Sequence, residues 1–401
     1  MTLHQPQQKP HRVVVLGAGY AGLPAAKRLA REVFADEVEV TLVSAGPEFV
    51  ERPRLHQIAT GQRVMRHPLA GLLAGTPVRL RIGTVAGLDL DRRRVRFDDG
   101  ATLAFDTLVY ALGSNIDVAS VPGVAGNALS LSGLRAAGAM GSVLRQIAGE
   151  GGRVVVCGGG LTGIETAGEL AESFPSLEVE LLSRGAPGAW LSEKARAYLG
   201  RAFDDLEVRV RPGVSVFEVG SSALTTDAGP VAFDACVWAG GFAVPDLART
   251  SGLSVNAGGR ALVDPTLRSV SHPDVYVIGD AAAASGAWGD ELAMGCRTGG
   301  FSGPQVADIL AARLSGREPK AFRYRYFHEC ISIGRRRGLV QFLAADETPK
   351  DRILVGWRAI RYKNATLRSA QWMFRHPGPY LGRRRRHIGH SAPAPGLSVA
   401  A

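Results

Sequence analysis

The sequence predicts an α/β fold of two similar three-layer units, the second inserted into the first, followed by a basic C-terminal region. Three observations carry this expectation. The fingerprint Gly17-Ala18-Gly19-Tyr20-Ala21-Gly22 recurs as Gly158-Gly159-Gly160-Leu161-Thr162-Gly163. Each copy follows a β-rich run, Arg12-Val13-Val14-Val15-Leu16 or Arg153-Val154-Val155-Val156-Cys157, and opens a helix-like stretch with a small residue (Ala26, Ala167). Far downstream, Val275-Tyr276-Val277-Ile278-Gly279-Asp280 returns to the style of the first unit. Strand, glycine turn and helix in this order are Rossmann-like. The first glycine permits a tight turn, the second lets the backbone approach a pyrophosphate, and the third lets the helix pack close on the strand. The pyrophosphate then meets N–H groups at a helix N-terminus. One fingerprint is weak evidence, but two in the same context point to two dinucleotides on one chain, an arrangement suited to passing electrons between them.

In chain order, residues 11–16 read as a strand, residues 21–33 as a helix with Pro24 tolerated in its first turn, and residues 38–44 as a second strand. Residues 78–105 alternate as strands do, with turns at Asp89-Leu90-Asp91 and Asp98-Asp99-Gly100. A strand over 105–114 ends in Gly113-Ser114. The second unit repeats the plan: a helix through Leu170, a strand at 179–183, strands near Val208 and Val214, and a strand over 235–241 ending in Gly240-Gly241. This reads as an internal structural repeat. The expected divisions are 11–117, 118–243, 244–320 and 321–390. The acid of Gly279-Asp280, at a strand end, suits hydrogen bonding to a sugar-like polyol; capping of the next helix is the other reading.

A chain of 401 residues holds two or three domains with substantial cores. Its apolar runs are broken by Gly, Arg or Asp well short of bilayer length, and Met1-Thr2-Leu3-His4-Gln5-Pro6 lacks the apolar core of a signal peptide. A cytoplasmic protein is expected, soluble or peripheral on the inner face of the cell membrane. The cysteines Cys157, Cys236, Cys296 and Cys330 have no C-x-x-C spacing, so neither a disulfide framework nor a metal site is expected. The net charge of +10 is unevenly placed: residues 320–390 carry seventeen Lys and Arg against four acids, a local excess of +13.

Taken together, both fingerprints, Thr107-Leu108-Val109-Tyr110-Ala111-Leu112-Gly113-Ser114 and Val277-Ile278-Gly279-Asp280 resemble the two-dinucleotide pyridine nucleotide–flavin oxidoreductases. Within that family, Thr162-Gly163-Ile164-Glu165 and the loop from Glu48 to Gly61 make the chain most similar to the type II NADH dehydrogenases. The resemblance implies FAD on the first fingerprint and the Gly-Asp motif, and NADH or NADPH on the second fingerprint. For FAD it points to Gly17, Gly19, Tyr20, Ala21, Gly22, Ser44, Arg52, Val85, Ala111, Gly113, Ser114, Gly279 and Asp280. For the nicotinamide dinucleotide it points to Gly158, Gly160, Thr162, Gly163, Ser183, Arg184, Gly240 and Gly241. Glu165 is the candidate catalytic residue, hydrogen-bonding the nicotinamide amide or gating its approach; an acid favoured by the helix N-terminus is the plainer reading.

Where the family ends the second strand of each unit with a ribose-binding acid, this chain has Ser44 and Ser183. Arg184 suits a 2′-phosphate, which tilts the expectation towards NADPH. No cysteine pair follows the first fingerprint, so the flavin is expected to be the redox centre. Met294-Gly295-Cys296-Arg297-Thr298-Gly299-Gly300 stands where type II NADH dehydrogenases carry a Gln-rich quinone segment. The expected acceptor is therefore a quinone or another small oxidant, with a dedicated metabolite substrate or a flavin-bearing sensor as alternatives. A helix starting near Gly299 or Gly303 should aim its positive end at the flavin. In the basic tail, Trp357, Ile360, Leu367 and Phe374 have helical spacing, and Arg383-Arg384-Arg385-Arg386 follow. That segment suits an anionic membrane surface, packing on the first unit, or a homodimer contact. Charge alone does not support nucleic-acid binding.

Overall fold

The computed structural model describes residues 9–375 and 385–389. The first stretch supplies β1 (His11–Leu16), α1 (Gly22–Glu32), β2 (Val38–Ser44), the short α2 (Leu55–Ala59), β3 (Arg79–Ile82) and β4 (Thr107–Tyr110). The next supplies β5 (Ala128–Ser130), β6 (Arg153–Cys157), α3 (Leu161–Ser173), β7 (Glu178–Ser183), β8 (Arg209–Pro212) and β9 (Ala235–Trp238). The chain returns through β10 (Val275–Val277) and α4 (Cys296–Leu314). It continues into β11 (His328–Ile333), β12 (Arg337–Leu343), β13 (Pro349–Val355) and α5 (Gly356–Arg375).

Two five-stranded sheets result, in the orders β10-β4-β1-β2-β3 and β5-β9-β6-β7-β8. All pairings in both are parallel. Their central strands are unbroken Val and Leu runs because both faces of each sheet are buried; Val13 to Leu16 and Val154 to Val156 lie in the two cores. The fingerprint strand sits at the centre of each sheet. The chain leaves β1 towards β2 on one side and comes back as β4 on the other. The crevice at this reversal of strand order, beyond the strands' carboxyl ends, is where open α/β sheets bind ligands. The insertion is explicit in the order: β10, the edge of the first sheet, comes after the whole second sheet in sequence.

Two expectations change. Helix α4 starts at Cys296, not at Gly299 or Gly303. Those glycines serve close packing on α1 instead: a Cβ on Gly303 would collide with the Ala21 carbonyl. The region 321–390 was expected to be basic and partly helical, and it also contains an antiparallel sheet, β11-β12-β13. Its strands were masked by charge, because Arg335 and Arg336 fall in the β11–β12 turn beside Gly334 (φ +74°). Helix α5 forms as its spacing suggested, but it buries Ala359, Lys363, Leu367 and Phe374 and leaves Trp357 exposed. The close approach of Gly338 on β12 to Ile360 sets that rotation. Of the four-arginine run, Arg383 and Arg384 lie outside the described residues. Arg386 is held by its backbone N–H to the Glu32 carbonyl.

This last region joins the two cores. Ile331, Ile333 and Leu339 pack into the core of the second unit, whereas Leu343 and Phe374 pack into that of the first.

Candidate active site

The two glycine turns are built alike. Gly17 (φ +101°) and Gly158 (φ +127°) occupy the left-handed region, and a Cβ on either would strike a backbone carbonyl, Ala111 or Ala239. Gly22 and Gly163 lie beneath, each with its Cβ position filled by the carbonyl of the first glycine of its own turn. At Gly19 and Gly160 a Cβ would meet nothing within 4 Å. Neither α1 nor α3 has a side-chain N-cap. Each turn is thus a bare cradle at a helix N-terminus, shaped for a phosphate group rather than closed by a side chain.

One cavity of about 1260 Å³ runs between the two turns. It is lined by Gly17, Gly19, Tyr20, Ala21, Ser44, Arg52, Ala111, Gly113, Ser114, Gly279 and Asp280 from the first unit. The second unit contributes Gly158, Gly160, Thr162, Glu165, Arg184, Gly240 and Gly241. Eighteen sequence-predicted site residues therefore share one cavity. Gly22, Gly163, Ser183 and Val85 are not among its lining residues; Val85 sits in the hairpin Val85–Asp89 and Arg94–Phe97 and packs on the first core.

Ser44 and Ser183 behave as a pair. Each hydroxyl donates to the carbonyl two residues on, Gly46 at 2.7 Å and Gly185 at 2.6 Å. Both loops lack a carboxylate at this strand end, and Arg184 follows Ser183 at the cavity wall.

At the opposite wall, Asp280 knits three segments together. Its Oδ2 accepts from the Ser114 hydroxyl at 2.6 Å and its Oδ1 from the Gly295 N–H at 2.7 Å, just ahead of α4. The carboxylate thus caps no helix following its own strand; it anchors the start of α4 and faces the cavity. Arg52 donates to the Ser114 carbonyl and stacks over Phe242, with 5.6 Å to the ring centroid. Behind Asp280, Arg260 donates to the backbone carbonyls of Asp280, Ala282 and Leu292.

Glu165, on α3 just past its first turn, is only 4% exposed. Its Oε1 accepts from the Ser332 N–H at 2.9 Å, the Ser332 hydroxyl at 3.0 Å and the Lys363 ammonium. Lys363 also donates to the Ser332 hydroxyl at 2.8 Å. Burial opposes ionisation of Glu165, but Lys363 and His56 outweigh it and hold the carboxyl below its ordinary range. His56, from α2, lies 3.9 Å from Oε2, and burial lowers it to about 4, so it is neutral at pH 7. This narrows the expected role of Glu165: with Oε1 occupied, a ligand amide has Oε2 as its acceptor. Lys363, Ser332 and His56 were not singled out from sequence. Helical spacing put position 363 near the apolar stripe of α5, which was the available signal.

Beyond Asp280 the cavity ends at Met294, Cys296, Arg297 and Glu329. Cys296 opens into the cavity but is otherwise enclosed by protein, which pushes its thiol up to about 11. Arg297 pairs with Glu329 (3.7 Å) and Glu347 and lies over Tyr326, with 4.6 Å to the ring centroid. Burial pushes the Glu329 carboxyl up against the pull of Arg297. Cys157 and Cys236, by contrast, are buried in the second sheet.

Residues 11–307 match the family described as pyridine nucleotide-disulphide oxidoreductase. An NADH dehydrogenase-like protein of Mycobacterium tuberculosis is 33% identical over 294 residues, covering 68% of this chain and 73% of that protein. A type II NADH:quinone oxidoreductase of the same organism is 29% identical, covering 82% of this chain and 78% of that protein. The structure of NDH2 from Plasmodium falciparum in complex with NADH superposes with a TM-score of 0.76 at 13% identity, covering 94% of this chain and 99% of that one. The chain is an oxidoreductase that works with FAD and a pyridine nucleotide. It belongs to the pyridine nucleotide-disulphide oxidoreductase family.

Proposed function

We propose that this protein takes a hydride from NADH or NADPH held at the Gly158 turn, delivers it to FAD held at the Gly17 turn, and passes the electrons to a quinone or another small acceptor. The observation that supports this most is the single cavity bounded by both glycine cradles. FAD supplies the hydride acceptance and the onward electron delivery. The protein's part is placement and charge. Gly19 and Gly160 leave room for pyrophosphates, and Asp280, held by Ser114 and Gly295, presents a fixed acceptor to a sugar-like chain. The uncapped N-terminus of α4 brings its positive end to the cavity wall, where it stabilises negative charge on a bound ring. Lys363, buried against Glu165 and Ser332, holds a proton beside the same wall.

The chain's Ser183-Arg184 pair supports NADPH over NADH, because a guanidinium suits a 2′-phosphate and no carboxylate repels it. The polar end at Cys296, Arg297 and Glu329 supports an acceptor with hydrogen-bonding oxygens. Trp357 and Trp372, exposed on α5 beside Arg358, Arg361 and Arg368, support peripheral attachment to an anionic membrane face.

The test is anaerobic stopped-flow mixing of the FAD-loaded protein with NADH or NADPH, followed by a screen of acceptors. Fast flavin bleaching and fast reoxidation by one acceptor class is expected. Bleaching slower than any acceptor turnover would overturn the reading.

A further inference from the structure

A second cavity, of about 680 Å³, shares no lining residue with the dinucleotide cavity. It lies where α4 ends and the chain turns towards β11. Ile309 and Ala312 of α4 contribute apolar surface, and Arg317, Lys320, Arg323 and Arg386 line it. The acids present are Asp308 and Glu318. Asp308 is already engaged by the Arg28 guanidinium, at 2.7 Å from Nη2. Arg386 is anchored through its backbone to Glu32 and reaches the Glu32 carboxylate at 3.9 Å.

The remaining three cations, Arg317, Lys320 and Arg323, are exposed at this cavity. Arg317, Lys320 and Arg323 have no carboxylate partner among the described residues, although all three border one concavity. The backbone beneath them is fixed. Gln305 donates to the Arg323 carbonyl at 2.9 Å and accepts from its N–H at 3.0 Å, and the Arg317 N–H donates to the Ala312 carbonyl at 2.9 Å. Unpaired cations held on a fixed backbone over an apolar floor are complementary to a phosphate group carrying an apolar or organic substituent.

We infer that this cavity is a binding site for a phosphate-bearing anion, separate from both dinucleotide sites, with Arg317, Lys320 and Arg323 as its recognition residues. A soluble phosphate compound and a phospholipid headgroup present the same chemistry, so the test separates them. FAD-loaded wild-type protein and the variant Arg317→Ser/Lys320→Ser/Arg323→Ser are dialysed against labelled inorganic pyrophosphate at low salt. In parallel they are sedimented with vesicles of phosphatidylglycerol and phosphatidylcholine. Binding common to both proteins belongs to the glycine cradles and cancels. A soluble ligand appears as saturable pyrophosphate uptake in the wild type that is about tenfold weaker or more in the variant, and weaker in added salt. A lipid headgroup appears as vesicle sedimentation lost in the variant without any difference in pyrophosphate uptake. In both cases bleaching by NAD(P)H is unchanged. Wild type and variant that match in both arms overturn the inference. If the triple variant melts early, the single variants Arg317→Ser and Arg323→Ser carry the test: binding weakened in either supports the site, and binding unchanged in both overturns it.

Discussion

Lys363 donates to the Glu165 carboxylate and so ties the last helix, α5, to the N-terminal half of α3, which follows the second glycine cradle. The two residues are 198 positions apart, and both are buried. Ser332, on β11, bonds to both. A buried ion pair of this kind is expensive to break from one side, because the surviving charge has no partner.

Lys363→Met should therefore destabilise the FAD-loaded protein by about 3–5 kcal/mol. Lys363→Met/Glu165→Gln should recover much of that loss, since no uncompensated carboxylate remains. Denaturant titrations of the two variants and the wild type check this. A single variant as stable as the wild type would remove the pair from any structural role.

The same cluster sets a pH dependence. Glu165 and His56 both have folded-state pKa values below their unfolded ones. The stability each contributes is thus present above the unfolded value and lost as pH falls through the folded one. For His56 the window runs from 6.5 down to about 4, with Glu165 adding to the loss below the ordinary carboxylate range. Wild-type stability should fall across that window by on the order of a few kcal/mol. His56→Gln should flatten the upper part, and melting temperatures taken at closely spaced pH values would reveal a flat wild-type profile if the idea is wrong.

Gly160→Val and Gly163→Val should separate ligand clash from misfolding. The first places a side chain in open space at extended backbone angles, so folding and FAD content should survive while bleaching by NAD(P)H is lost. The second drives a Cβ into the Gly158 carbonyl and should prevent the second unit from folding. Unchanged reduction kinetics in Gly160→Val would refute the assignment of that cradle to the nicotinamide dinucleotide.

Asp280→Ala removes the acceptor for Ser114 and Gly295 and frees the start of α4. FAD should then wash out on dilution and gel filtration, with a loss of roughly 1–3 kcal/mol from the unpaired donors. Full yellow occupancy after dilution would show that Asp280 does not hold the flavin.

Arg184→Ala should raise the KM for NADPH more than that for NADH, by about tenfold for a charge-assisted contact to phosphate. Steady-state kinetics with both nucleotides decide it, and equal changes would leave Arg184 a bystander at the cavity wall.

The local elements were legible because both periodicity and turn chemistry are short-range. The strands His11–Leu16 and Val38–Ser44 fell where their Val-rich runs end, and the helix after Gly160 began at the turn that the third glycine demands. Asp280 could be picked out because it ends a strand. The sheet β11-β12-β13 could not be, since its turn carries arginines and its strands, Ile331 and Ile333 included, are apolar only towards the core of another unit.

By itself, the sequence determined the two glycine cradles, the repeat of strand order around them and the family resemblance, because each rests on backbone geometry that only glycine, or a strand run of fixed period, satisfies. Only the tertiary structure decided which side chains from distant segments share a dielectric. His56, Glu165, Ser332 and Lys363 come from α2, α3, β11 and α5; the second fingerprint marks Glu165, but nothing local to the other three shows that they meet it. The lowered proton affinities of His56 and Glu165 arise from what packs around them, and that is a property of packing between segments, not of spacing within one.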